Sequence, residues 1–395
     1  MRLMKKHVVF SLSLAIITVL SVAALGEIWA RLTSHGSYLT DLMRIDRVFH
    51  HLPPPYYKGV MQSEGDFDVT YSLNNRGMRG RRDYRYEKDA SIYRIAIMGD
   101  SIVFGVGVEL EDTMPFLLED ELNNRSAKKY EILNFGINSY SPVLEYIYLT
   151  KEVVRYRPDF VILLLDECDI QDDYLYEPHI VHDDKGEIEG CDPLRVNNRP
   201  DLLTTLMWKS RLLSAMNTKL FDSFRKMKAI GFWNYLVNKY KGKRNKDEIL
   251  SNYKIDNIYF DRFLFVRDGK DRDVVMRHWR RTARYLLMIK QFCDERGIKF
   301  MLVTYPYGHQ VGANQWPIGR RYWAFESNKV YDCRKPLSIV EEFAKSDNID
   351  YLNLCDAFRK NDAEQLFFAR DGHWTKVGHE VASDAILNSI SATAH

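Results

Sequence analysis

Charge of one sign is missing from this chain. Its 395 residues carry 56 Lys and Arg against 54 Asp and Glu, a net of +2. No global field therefore recruits nucleic acid or another polyanion. Cysteine is scarce. Five in the whole chain are too few for a disulfide scaffold, and an odd number leaves at least one thiol unpaired. There is no phosphate-binding loop, no zinc-ligand spacing and no dinucleotide fingerprint, since Gly105-x-Gly107 lacks its third glycine. No cofactor is expected, and no metal. Internal repeats and low-complexity tracts are absent too. With 46% hydrophobic and 28% charged residues, the composition is that of a folded globular chain.

What is there begins at the N-terminus. Val8 to Leu25 is an uncharged run behind Arg2, Lys5, Lys6 and His7. At 1.5 Å per residue it would span roughly 27 Å as a helix, about the thickness of a bilayer core. A basic flank stays cytoplasmic, which sends the rest of the chain outside. Trp29 and Arg31 suit the interfacial border of an uncleaved anchor, while Ser21-Val22-Ala23 and Ala24 supply the small residues of a cleaved signal. Both export readings place the bulk of the chain outside the cytoplasm, where disulfides are permitted; the remaining alternative is a buried core helix.

Residues 27–90 are polar and turn-rich (Pro53-Pro54-Pro55, Asn74-Asn75-Arg76-Gly77) and read as a connector laid over a domain that starts near 91. There the pattern becomes regular. Strands are expected at Tyr93–Met98, Tyr130–Phe135 and Phe160–Leu165, with helices at Met114–Asn123 and Val143–Arg155 between them. Phe160 to Leu165 is apolar at every position, which suits a central parallel strand buried on both faces. After about 275 the alternation resumes: helix Val275–Arg296, strand Lys299–Tyr305, helix Leu337–Lys345, strand Tyr351–Leu354, and a last helix after Thr375. Such alternation predicts an α/β three-layer sandwich around a parallel sheet, with its site at the carboxyl ends of the strands.

Residues 171–274 break that rhythm and read as a helical insert. Within it, Lys219 to Lys246 carries nine Lys or Arg against one Asp, interleaved with Phe221, Phe224, Phe232, Trp233, Tyr235 and Tyr240. A membrane-surface or polyanion contact and a solvated helical face with a half-buried aromatic side both fit this pattern.

Two short segments could carry chemistry. Gly99-Asp100-Ser101 stands where the first strand ends, which puts a serine at the active edge of such a sheet. Near the C-terminus, Asp371-Gly372-His373-Trp374-Thr375 supplies an imidazole and a carboxylate two residues apart. A nucleophilic serine needs a base to take its proton, and the imidazole needs an acceptor that fixes its tautomer. Thr375 reads as the N-cap of the last helix, and His379 as structural. The acidic run Asp166, Glu167, Asp169, Asp172, Asp173 lacks companions at metal-ligand spacing and reads as solvated loop charge or partners for arginines. Tyr305-Pro306-Tyr307-Gly308-His309 follows another strand, which makes His309 and Trp316 candidate pocket residues.

Together these segments resemble the SGNH/GDSL hydrolase family over about residues 90–170 and 275–393. The resemblance implies a flavodoxin-like fold and a Ser-His-Asp triad acting on esters, with Ser101 as nucleophile, His373 as base and Asp371 as its orienting acid. Asn134-Phe135-Gly136 is similar to the second family block, which implies that Gly136 shares an oxyanion hole with the Ser101 amide. Asp371-x-His373 is shorter than the usual Asp-x-x-His; related membrane-anchored members have this spacing. Ser72 to Gly80 is also similar to their approach to the first strand. The third block departs: Cys168 stands where the family has asparagine. A thiol is a weak donor, and loss of one oxyanion donor costs about 10²- to 10³-fold in rate. Asp100, Cys168, Asp169 and Trp374 complete the expected pocket.

The reading is an extracytoplasmic serine esterase with an ester-bearing substrate, O-acylated cell-wall or exported polysaccharide being suggested by location. The alternatives are an acyl-transferring enzyme, or a non-catalytic glycan-binding partner of a membrane O-acyltransferase.

Overall fold

The computed structural model describes residues 2–33, 42–63, 65–197, 199–200, 272–322 and 325–392. Residues 42–198 with 255–395 form one compact unit, and residues 1–41 with 199–254 another. In the second of these, α1 runs over Arg2–Thr33, and its side chains Leu14, Ile17, Val19, Leu20, Val22 and Leu25 are exposed. Among the described residues no helix is long and apolar enough to cross a membrane. The spanning anchor expected over residues 8–25 therefore finds no support there. The basic-aromatic stretch 219–246 lies outside the described residues.

The larger unit begins with two antiparallel hairpins where the connector was expected. They are β1 (Arg44–Asp46) with β2 (His50–Leu52), and β3 (Lys58–Ser63) with β4 (Phe67–Ser72). Then come β5 (Ile92–Gly99), α2 (Ser101–Phe104), α3 (Met114–Arg125), β6 (Lys129–Gly136), α4 (Pro142–Lys151), β7 (Phe160–Leu165) and α5 (Asp169–Tyr176). A small hairpin follows, β8 (Ile180–His182) with β9 (Ile188–Cys191). The C-terminal half contributes α6 (Arg272–Asp294), β10 (Lys299–Thr304), α7 (Gly308–Val311), α8 (Pro317–Tyr322), α9 (Arg334–Ser346), β11 (Asp350–Asn353), α10 (Cys355–Lys360) and α11 (Lys376–Ala392). The expected helix over 143–155 is divided: α4 ends at Lys151 and a single 3-10 turn covers Val153–Tyr156.

Five parallel strands make the central sheet, in the order β11-β10-β7-β5-β6. Read from the other edge, that is the 2-1-3-4-5 order of flavodoxin-like folds, whose switch point lies beside the first strand. The period-2 rule explains the layers. Ala96 and Met98 of β5 face a core shared with Leu144 and Ile147 of α4 and with Leu286 and Ile289 of α6. Ile95 and Ile97 face the opposite core, with Leu118 of α3 and Ile386 of α11. All six residues of β7 are buried, as a central strand requires.

Candidate active site

β5 delivers the serine. Gly99 ends the strand at φ 154°, where a Cβ would stand 2.6 Å from Val103 Cγ2 and 3.1 Å from Leu164 O. Only glycine passes this narrow turn. Asp100 then caps α2, its Oδ1 accepting from the Ile102 N–H at 2.9 Å. Ser101 is the first residue of that helix, so its own N–H has no intrahelical acceptor.

The other half comes from the loop before α11. Phe367 and Trp374 form a bridge, the Phe368 N–H donates to His373 O at 2.9 Å, and Gly372 turns at φ 89° between Asp371 and His373. Thr375 meets the expectation of a cap, with the Gly378 N–H donating to its Oγ1 at 3.4 Å. The loop reaches Ser101 across 272 residues of sequence, with His373 Nε2 2.7 Å from Ser101 Oγ. The other ring nitrogen, Nδ1, bonds Asp371 Oδ1. Burial lowers the basicity of His373, but the Asp371 charge and hydrogen bond, helped by Asp100 and Asp166, raise its pKa above 6.5 overall. Asp371 responds oppositely. Burial pushes its carboxyl up, yet the contacts with His373 hold it below the ordinary range.

Behind the serine lies a buried carboxyl network, not the solvated loop charge expected from the acidic run. Asp166, Glu167, Asp169 and Asp173 are each at most 4% exposed. The Tyr305 hydroxyl lies 3.4 Å from Asp100 Oδ1 and donates to Asp166 Oδ2 at 2.9 Å, while the Tyr307 hydroxyl donates to Asp166 Oδ1. Burial first, and the Asp166 charge second, raise the Asp100 pKa to about 7. Burial likewise raises Glu167 to about 8. Asp169 Oδ2 accepts from the Asp166 N–H at 2.9 Å. Asp173 caps α4 through Val143 at 2.9 Å and also holds Ser141 and Thr282. Cys168, Asp169 and Asp172 bring ligand-capable atoms within 4.8 Å of one another.

Several expected pocket residues serve the frame instead. His309 is fully buried and stacks on Phe325 at 3.8 Å. Trp374 is fully buried against Tyr305 and Phe358, both at 5.1 Å. Trp316 is 3% exposed and gives its indole N–H to Arg370 O at 3.0 Å. Cys168 is buried, with its thiol against the Tyr307 hydroxyl.

Gly136 also differs from its expected role. Its N–H already donates to Asn134 Oδ1 at 2.9 Å, and a Cβ there would stand 2.2 Å from Phe104 N. The glycine lets β6 press against α2, while Asn134 Nδ2 donates to Val103 O at 2.8 Å.

Residues 260–395 match the family model described as the SGNH hydrolase-like domain of the acetyltransferase AlgX. Over that third of the chain the protein is similar to an SGNH hydrolase-like domain. No curated protein matches it by sequence. Solved structures similar to it include the acetyl xylan esterase AlAXEase, at 14% identity over 75% of this chain and 99% of that one, with a TM-score of 0.38. Axe2, an acetylxylan esterase from Geobacillus stearothermophilus, is 12% identical over 75% and 94%, with a TM-score of 0.38. The lipase/acylhydrolase from Enterococcus faecalis is 14% identical over 76% and 96%, also at 0.38. Likeness at this distance says nothing about substrate.

Sequence reasoning missed the contributions of the N-terminal hairpin and of the segment that follows it. Arg79 sends its guanidinium to Gly105 O and Val108 O and lies 4.0 Å from the Tyr71 ring centroid. The Tyr71 hydroxyl accepts from the Gly107 N–H at 2.7 Å. Asp66 Oδ2 accepts from the Arg370 and Asp371 N–H groups at 3.0 and 2.8 Å. No local pattern marks a hairpin aspartate as the partner of a loop about 300 residues away.

Proposed function

We propose that the protein is a serine acyl hydrolase that uses Ser101, His373 and Asp371. One observation carries this reading: the 2.7 Å contact from His373 Nε2 to Ser101 Oγ, with Asp371 on the ring's other nitrogen. Ser101 Oγ attacks the ester carbonyl as Nε2 takes its proton. The alkoxide leaves with that proton, and an acyl-serine remains. Water then gives a proton to Nε2 and its oxygen to the acyl carbon, which releases the acid and restores the hydroxyl. Asp371 fixes the proton on Nδ1 and stabilises the imidazolium, in line with the raised basicity of His373. The Ser101 N–H, free of the helix ladder, is the oxyanion donor the sequence suggested and the geometry supports.

The substrate class follows from location, itself a proposal. The basic-then-apolar N-terminus supports export, as an anchor or as a cleaved signal, and O-acylated cell-wall or exported polysaccharide then lies within reach. A second reading has its own support. The matched model is described as that of an acetyltransferase, and a sugar hydroxyl can replace water at the acyl-serine. A third, glycan binding alone beside a membrane O-acyltransferase, draws on Cys168 at the family's asparagine position.

A fluorophosphonate probe separates the first two readings from the third. The wild type should be labelled on Ser101, and Ser101→Ala and His373→Ala should not. Unlabelled wild type, with no turnover of a short-chain nitrophenyl ester, would leave only the binding role. A labelled enzyme that moves acetyl to a sugar hydroxyl faster than to water would favour transfer.

A further inference from the structure

The loop that carries Asp371 and His373 is held from two sides, one of them outside the SGNH-like segments. At its centre is the peptide unit joining Arg370 to Asp371, and both ends of that unit are tied. Its N–H, on Asp371, donates to Asp66 Oδ2 at 2.8 Å. Its C=O, on Arg370, accepts from the Trp316 indole at 3.0 Å. Asp66 also takes the preceding N–H, on Arg370, at 3.0 and 3.2 Å from its two oxygens. Trp316 is itself in the left-handed region at φ 53°, a conformation that costs a non-glycine residue energy and persists only where the surroundings hold it.

A peptide plane tied at both ends resists rotation, which narrows the directions open to the Asp371 Cα–Cβ bond. That direction decides whether the carboxylate meets His373 Nδ1 across the single intervening Gly372. With a two-residue spacing there is little slack. The same hairpin touches both halves of the site. Phe67 packs on Phe368 at 5.0 Å, and Tyr71 stacks on Phe104 at 5.7 Å and accepts from the Gly107 N–H.

We propose that Asp66 is a positioning residue. From the β3–β4 turn it clamps the 370–371 peptide, and so holds Asp371 on His373 and the imidazole on Ser101. The inference rests on the serine-hydrolase reading for its effect on rate, but not for its effect on His373. A charge-assisted acceptor for two adjacent N–H groups is among the stronger hydrogen-bonding arrangements, and misplacement of a catalytic group by about 1 Å can cost roughly 10²-fold.

The test compares Asp66→Ala, Asp66→Asn, Trp316→Phe and the Asp66→Ala/Trp316→Phe double variant in the full chain. Asp66→Ala should lower kcat/KM on a nitrophenyl ester by about 10- to 100-fold, with Asp66→Asn, which keeps an acceptor, in between. Because Asp371 is what raises His373, a loosened clamp should also move the acid limb of the pH–rate profile to lower pH. The two single losses should not add, since both ties act on one peptide unit. A histidine-selective NMR titration reads the His373 pKa in the Ser101→Ala background with no turnover needed. It should fall when Asp66→Ala is added. An unmoved His373 titration overturns the proposal, even with reduced rate. If the wild type proves inactive but the titration moves, the serine-hydrolase reading fails and the clamp stands.

Discussion

Replacing Asp100 with Asn should stabilise the protein, and increasingly so as the pH rises. The Asp100 carboxyl is 7% exposed and faces Asp166 across the Tyr305 hydroxyl. Burial and the Asp166 charge raise its pKa from 3.8 to about 7. The sign is opposite to that of a salt-bridged carboxylate. The folded state holds this proton more tightly than the unfolded chain, so folding takes up a proton across the window from about 4 to about 7, and stability falls as pH rises through it. At 1.36 kcal/mol per pH unit the full gap is worth about 4 kcal/mol above pH 7 and about 2 kcal/mol at pH 5.

Asn removes the titration but keeps an acceptor for the Ile102 N–H, so the helix cap survives. The advantage of Asp100→Asn over wild type should thus grow by about 2 kcal/mol between about pH 5 and pH 8. Urea unfolding followed by circular dichroism at both pH values measures that difference, in which carboxyls remote from Asp100 cancel. A pH-independent difference, or a variant less stable than wild type at the higher pH, would refute the assignment of a raised pKa to this group.

Two further outcomes test the site and its setting. Asp371→Asn should depress kcat by about 10⁴-fold, the scale seen when the orienting carboxylate of a serine triad is neutralised. What activity remains should have its acid limb at lower pH, because Asp371 holds the His373 pKa above 6.5; a limb that stays put in the pH–rate profile contradicts the contact. For location, protease added to intact cells should degrade a C-terminally tagged chain. Protection in intact cells and digestion only after lysis would remove the extracytoplasmic proposal, while the mass of the mature N-terminus distinguishes anchor from cleaved signal.

Much of the fold was legible because its signals are local. The all-apolar Phe160–Leu165 run suited a strand covered on both faces, and it is one. The Gly-Asp-Ser triplet announced a tight turn at a strand end, and Gly99 stands where any Cβ would strike Val103. The family pattern named Ser101, Asp371 and His373, and the structure brings the three together. The pattern misread Gly136, because glycine is compatible both with an exposed N–H and with a close helix contact, and only packing chooses. The acidic run was read as solvated because charge normally is. Five acidic residues within eight positions do not reveal that Tyr305, Tyr307, Ser141 and Thr282 will bring Asp166 and Asp173 partners in the interior.

The sequence by itself determined the strand and helix alternation and the residue types able to carry acyl chemistry. These depend on periodicity and on side-chain identity, which are properties of short stretches. Tertiary structure alone decided that Ser101 and His373 meet across 272 positions of chain, that His309, Trp316 and Trp374 are buried rather than lining a pocket, and that the connector's Asp66 braces the Asp371 loop. Hydrogen bonds and burial between distant segments depend on where the backbone carries them, and that placement is a sum over the whole packed core rather than a feature of any one window.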